Sequence, residues 1–147
     1  MDVLVLTRFN NETWKENVKW REKNNYTGCI YNSPVRIAAH IPLLKTIYVI
    51  EMNNDTNEIL GVGKITNNVY RDKPYKIYTD NNYNRYTYKG NQRVDMKNIK
   101  SFDQKEKLQE RLFKHKTHLK RGQGLTQPPV NLIHTYSRFI KSLFDSI

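Results

Sequence analysis

The stretch Thr46–Thr66 constrains this chain more than any other. It reads Thr-Ile-Tyr-Val-Ile-Glu-Met, then Asn-Asn-Asp-Thr-Asn-Glu, then Ile-Leu-Gly-Val-Gly-Lys-Ile-Thr. Ile47, Tyr48, Val49 and Ile50, and again Ile59, Val62 and Ile65, are the β-branched and aromatic side chains that a pleated, half-buried surface selects. The run between them holds no apolar side chain, and Asn53, Asn54, Asp55 and Asn57 are suited to turn the backbone and cap it. The pattern predicts a β-hairpin with strands at about 46–52 and 59–66, antiparallel and alternating buried with exposed. Gly61 and Gly63 share one face of the second strand, which marks a bulge or a place where a ligand or another backbone comes close. The core should condense around this hairpin.

The rest of the composition sets bounds. At 147 residues the chain is sized for one domain with a real core. A 37% hydrophobic content with 10 Tyr, 5 Phe and 2 Trp argues for a folded chain rather than a disordered one. No apolar run approaches the ~20 residues of a membrane span, so no membrane partner is expected. Met1–Leu6 is too short for a signal-peptide core, and the sequons at Asn11, Asn25 and Asn54 are therefore not read as glycosylation sites. The single Cys29 excludes an internal disulfide framework and fits a reducing, intracellular compartment.

Charge is unevenly placed. Residues 1–70 carry eight Lys and Arg against seven Asp and Glu, whereas residues 71–147 carry 17 against 7. Nearly all of the net +11 therefore comes from the second half. A localised basic field points to a polyanionic partner, nucleic acid above all, with RNA placed before DNA. A Lys-rich solvated surface is the plainer alternative.

In chain order, residues 1–9 predict a strand and residues 12–24 a helix with Trp14, Val18 and Arg21 on one face. Trp20 falls off that stripe, either free to stack on a base or packed under a loop. Residues 26–31 predict a short strand. Ser33-Pro34 predicts the start of a short helix ending near His40, with Ser as N-cap and Pro at the first position. Strands are expected at 75–79, 85–89 and 93–96. Ser101-Phe-Asp-Gln104 is a capping box opening a helix to about His115, with Leu108 and Leu112 inward. Pro128-Pro129 precedes a last helix over 129–146, whose Ile133, Tyr136, Ile140, Leu143, Phe144 and Ile147 should dock on the domain's own core.

Two features carry binding chemistry. Arg111, Lys114, Lys116, Lys120 and Arg121 lie in a stretch without an acid from 111 to 124, and are candidates for phosphate contacts. Gly122 and Gly124 beside them would let the backbone approach a ligand and expose amide donors. Tyr86 and Tyr88 alternate with Arg85, Thr87 and Lys89, so they are candidates for base stacking together with Trp14 and Trp20. Residues 120–124 match neither a Walker A loop nor the dinucleotide fingerprint. His115-x-x-His118 lacks further ligands for a metal, and Cys29 lacks a partner motif for catalysis. No cofactor, metal or catalytic residue is assigned.

The strand Thr46–Met52, the segment Ile59-Leu-Gly-Val-Gly-Lys-Ile65 and the stretch Gly122-Gln-Gly-Leu-Thr-Gln-Pro before the final helix resemble the PUA-like superfamily, EVE and YTH domains in particular. Tyr83–Gly90 and His115–Gly124 also resemble segments of giant DNA virus proteins. The first resemblance implies a small barrel flanked by helices, binding RNA or a modified base in an aromatic-lined pocket. YTH domains have a Trp-rich cage without a clear counterpart in Trp14 and Trp20. The expectation is one α+β domain over 1–147, a mostly antiparallel PUA-like barrel or bent sheet with three to four helices. Its expected function is non-enzymatic RNA binding in the cytoplasm or nucleus of a host cell, or in a virion. The competing classes are an interaction subunit lying near nucleic acid and a PUA-like nuclease or base-modifying enzyme.

Overall fold

The computed structural model describes residues 3–99 and 102–145. Its strands are β1 (Val3–Phe9), β2 (Cys29–Ser33), β3 (Thr46–Asn53), β4 (Glu58–Thr66), β5 (Tyr86–Gly90) and β6 (Gln92–Asp95). Its helices are α1 (Asn11–Lys23), α2 (Phe102–Gln109) and α3 (Val130–Ser142). The fold class is α+β, as the order of patterns indicated. A four-stranded sheet runs β1-β3-β4-β6, and β2 pairs with β5 in a separate two-stranded sheet.

The hairpin β3–β4 is antiparallel and central, from Thr46 opposite Thr66 to Asn53 opposite Glu58. The expected alternation of burial in β3 does not hold, because every residue from Ile47 to Asn53 is buried. Both faces of the sheet are covered, and a doubly covered strand selects a continuous apolar run. One face packs Leu4, Leu6, Tyr48 and Ile50 against Leu108, Phe139 and Ile140. The other packs Val5, Ile47 and Val49 against Ile30, Tyr31 and Tyr88, with Trp14 and Trp20 alongside. The pairing of β1 with β3 is parallel, Val3 opposite Ile47 through Phe9 opposite Asn53, and α1 and β2 lie in the crossover.

Both expectations for Gly61 and Gly63 find a physical cause. Glu51 pairs with Gly61 and Met52 with Ile59, leaving Leu60 as the extra residue of a bulge. The close approach is made by the protein's own side chains and, at Gly61, also by the Val94 carbonyl. A Cβ on Gly61 would stand 2.6 Å from Arg93 Nη2, and one on Gly63 would overlap the Tyr31 hydroxyl.

Three expectations are corrected. The strands do not close into a barrel, since β2 and β5 form ladder pairs only with each other among the described strands. Residues 33–40 form no helix. Ser33 ends β2, its hydroxyl accepts from the Val35 N–H and donates to the Val35 carbonyl, and buried Ile37 and Ile41 pin the chain as irregular structure. Residues 75–79 are not a strand, although Tyr75, Ile77 and Tyr78 are buried. The Asn84 amide takes the N–H groups of Ile77 and Tyr78 and donates to the Tyr78 carbonyl, so one side chain replaces a partner strand.

The last helix docks on the core through Leu132, Phe139, Ile140 and Phe144. The α2 helix passes into a π-helical turn, Glu110–Lys114, closed by the His115 N–H on the Glu110 carbonyl at 2.9 Å. That wider turn buries the consecutive side chains Leu112 and Phe113. Ser101 of the capping box and Ile147 of the last stripe lie outside the described residues.

Candidate nucleic-acid interface

Beyond the π-helical turn the chain returns along the free edge of β1. Leu119 N–H donates to the Leu112 carbonyl, and Thr126 and Leu6 exchange backbone bonds of 2.7 and 3.0 Å. Between these anchor points residues 119–124 arch over Arg8. Arg8 Nε donates to the Leu119 carbonyl at 2.9 Å, and Nη1 donates to Thr126 Oγ1 at 2.7 Å. Gly122 and Gly124 adopt φ of 146° and 77°, in the region that disfavours side chains. A Cβ at Gly122 would also sit 2.6 Å from Arg8 Nη1, so the arch can close over the guanidinium only with glycine there.

Beneath the arch lies a cavity of about 410 Å³, with Gly122, Gln123 and Gly124 on one side. The end of β1 supplies Thr7, Arg8 and Phe9, and the start of α1 supplies Asn10 and Thr13. Asn32, Pro34, Asn54, Tyr78 and Tyr83 complete it. Tyr83 is 42% exposed and rides on a 3-10 turn, Asn81–Asn84, whose start is capped by the Asp80 carboxylate on the Asn82 N–H. The lining therefore combines amides, hydroxyls, aromatic rings and one guanidinium.

Two polar groups there are underused. Arg8 spends two of its five donors on the loop, and among the described residues it has no carboxylate within ion-pair distance. Burial alone pushes its pKa down from the ordinary value, and the guanidinium still holds its proton. Asn54 Nδ2 donates to the Lys120 carbonyl at 2.8 Å, which fixes the amide's orientation because a carbonyl only accepts. Its Oδ1 is then a buried acceptor without a partner among the described residues.

The sequence-derived candidates divide. Gly122 and Gly124 line the cavity. Arg121, Lys114 and Lys116 are exposed and do not line the cavity. Lys120 is half-buried, and Arg111 donates to the Thr117 carbonyl, bracing the segment. The stacking candidates do not reach the cavity. Tyr88 is 1% exposed and its hydroxyl accepts the Ile37 N–H, so it is core and not a stacking surface. The Arg21 and Arg93 guanidinium carbons each lie 5.2 Å from the centre of the Trp14 ring. Trp20 packs edge-on against Tyr26 and tilted against Tyr75. Tyr86 is half-buried with Arg36 and Arg85 over its ring.

Arg8, Asn54 and Tyr83 were not among the candidates. Arg8 had a signal, since the two-residue period of β1 sets it on the face of Leu4 and Leu6, where another apolar side chain is due. Tyr83 is marked only by the resemblance carried by Tyr83–Gly90, and Asn54 only as a turn residue of the hairpin. A second cavity, about 340 Å³, lies at the other end of the sheet near Tyr26, Tyr70 and Lys89. Its Lys89 is already engaged, donating to the Tyr75 hydroxyl at 3.0 Å with the Tyr70 ring at 4.7 Å.

No family model matches the chain, and neither does any curated protein or solved structure compared with it.

Proposed function

We propose that this domain is a non-enzymatic nucleic-acid-binding module, directed at single-stranded RNA, that holds one base in the cavity beneath residues 122–124. The observation that supports this most is the pairing, in one cavity, of a carboxylate-free Arg8 with a solvent-accessible Tyr83 ring. Unstacked bases are recognised by a flat ring against one face and by hydrogen bonds along an edge. Tyr83 supplies the ring, and the spare Arg8 donors meet base carbonyls or a phosphate. Lys114, Lys116, Lys120 and Arg121 lie in the segment leading into the arch and supply phosphate attraction. The PUA-like resemblance belongs to the same proposal.

The test is fluorescence anisotropy with a labelled 12-nucleotide single-stranded RNA across a salt series. Tyr83→Ala should weaken binding by roughly 5- to 100-fold, the range expected for one stacked base, with the salt slope unchanged. Tyr83→Phe should bind like wild type, because stacking needs the ring and not the hydroxyl. A folded Tyr83→Ala protein with wild-type affinity would remove the cavity from the account.

A further inference from the structure

A second group of cations lies beside the cavity and outside residues 111–124. Tyr86 opens β5 opposite Ser33, and Ser33 is also the residue against which Gly124 packs. Arg36 and Arg85 place their guanidinium carbons 5.1 and 5.7 Å from the centre of the Tyr86 ring. A hydrogen bond from Arg36 draws the phenol's pKa below its ordinary value, and the charges of Arg85, Arg36 and Arg71 add to that pull. Two guanidiniums thus share the surroundings of one phenol. Among the described residues neither has a carboxylate within ion-pair distance.

Gathering like charges without a counter-charge is unfavourable even in high dielectric, and an anion seated among them reverses the sign. Guanidinium forks match phosphate oxygens with paired N–H donors, and a phenol O–H can add another. The position suits a strand that has already entered the cavity. Pro34 lines the cavity, and Arg36 follows two residues later, no more than about 7 Å along the chain. A phosphate flanking the held base falls within reach of long arginine side chains at that distance.

We propose that Arg36 and Arg85, gathered around Tyr86, form a phosphodiester clamp that grips the backbone of the nucleic-acid strand whose base sits under the Gly122–Gly124 arch. The clamp rests on the nucleic-acid reading above and extends it from one base to the direction in which the strand leaves.

The experiment pairs Arg36→Gln/Arg85→Gln with Tyr83→Ala, using the same 12-nucleotide RNA from 0.05 to 0.4 M salt, roughly the span over which phosphate contacts are resolved. Thermal melting of each variant controls for folding, and Arg36→Lys/Arg85→Lys serves as a charge-preserving variant if the Gln pair melts early. Losing two phosphate contacts should lower the log–log salt slope by about 1.4 and weaken binding about 25-fold near 0.1 M salt. The Lys pair should keep the slope and lose only part of the affinity, since the charge remains and the fork does not. A Gln pair with wild-type slope and affinity overturns the clamp, whatever Tyr83→Ala does. A lowered slope with an inert Tyr83→Ala supports the clamp and removes the base pocket. Wild-type protein that fails to bind the RNA overturns both.

Discussion

Arg93 and Arg8 are both drawn into the protein, and their surroundings differ in one respect. The Arg93 side chain is 8% exposed and reaches Glu51, itself 1% exposed, through Nη2 at 2.6 Å and Nε at 3.0 and 3.1 Å. Nη1 reaches Asp95 at 3.2 Å, and the Tyr31 hydroxyl donates to Glu51 at 2.6 Å. Burial would lower the Arg93 pKa, but the charge and hydrogen bonds of Glu51 outweigh it and raise it. Gly61 and Gly63 exist, in packing terms, to leave room for this group. Arg8 has a carbonyl and a hydroxyl instead, and only the burial effect acts on it. A buried charge whose partners are all internal belongs to the architecture. A buried charge left without a counter-ion at the wall of a cavity is available to something outside.

The largest expected effect tests the first half of that contrast. Arg93→Leu leaves Glu51 buried without a counter-charge and should cost about 3–5 kcal/mol in urea unfolding at neutral pH. Replacing both residues, Glu51→Leu with Arg93→Leu, should recover most of the loss. A cost below about 1 kcal/mol for the single change would mean that the pair is not structural.

A smaller effect follows from the groups packed around the pair. Burial first, and then the charge of Glu51, push the Cys29 thiol up to about 12 from its ordinary 9.0. Tyr31 beside it is raised as well, chiefly by burial. A group raised on folding contributes fully below its unfolded pKa and loses that contribution as pH climbs toward the folded value. Stability should therefore fall between about pH 9 and 12, by roughly 2–3 kcal/mol near pH 11 from Cys29 alone. Melting curves of wild type and Cys29→Ala should converge as pH rises. Parallel curves would show that the thiol is not the titrating group.

The smallest stability effect belongs to Arg8→Gln, which removes a charge that no carboxylate among the described residues balances. Unfolding free energy should change by only about 1 kcal/mol, the scale of the two hydrogen bonds given up. Affinity for single-stranded RNA should fall by at least about tenfold, as expected for a lost charge-assisted contact. If Arg8→Gln instead unfolds the domain as Arg93→Leu does, the two arginines are alike and the contrast fails.

What the chain determined by itself is the periodic and local part. The apolar runs around Asn53–Asn57 specify the hairpin, because strand propensity and turn chemistry act within a few residues of each other. The stripe on the last helix specifies a docked helix for the same reason, and the paired glycines of β4 announced crowding before any neighbour was visible. Gly122 and Gly124 likewise marked a backbone that must bend where other residues strain.

Tertiary structure alone decided what stands across from these residues. Nothing between Tyr75 and Thr79 reveals that Asn84 will fold back and satisfy their amides, so a local strand pattern became irregular chain. The alternation that made Tyr88 look available says which residues share a face, but not whether that face meets solvent or Ile37. Arg8, Asn54, Tyr83 and Gly122 are far apart in sequence and meet because β1 pairs on one side with β3 and on the other with Thr126. Charge counts locate a basic half. Only the packing decides which guanidinium is neutralised by an internal carboxylate and which is left facing a cavity, because that depends on long-range pairing and not on neighbours in the chain.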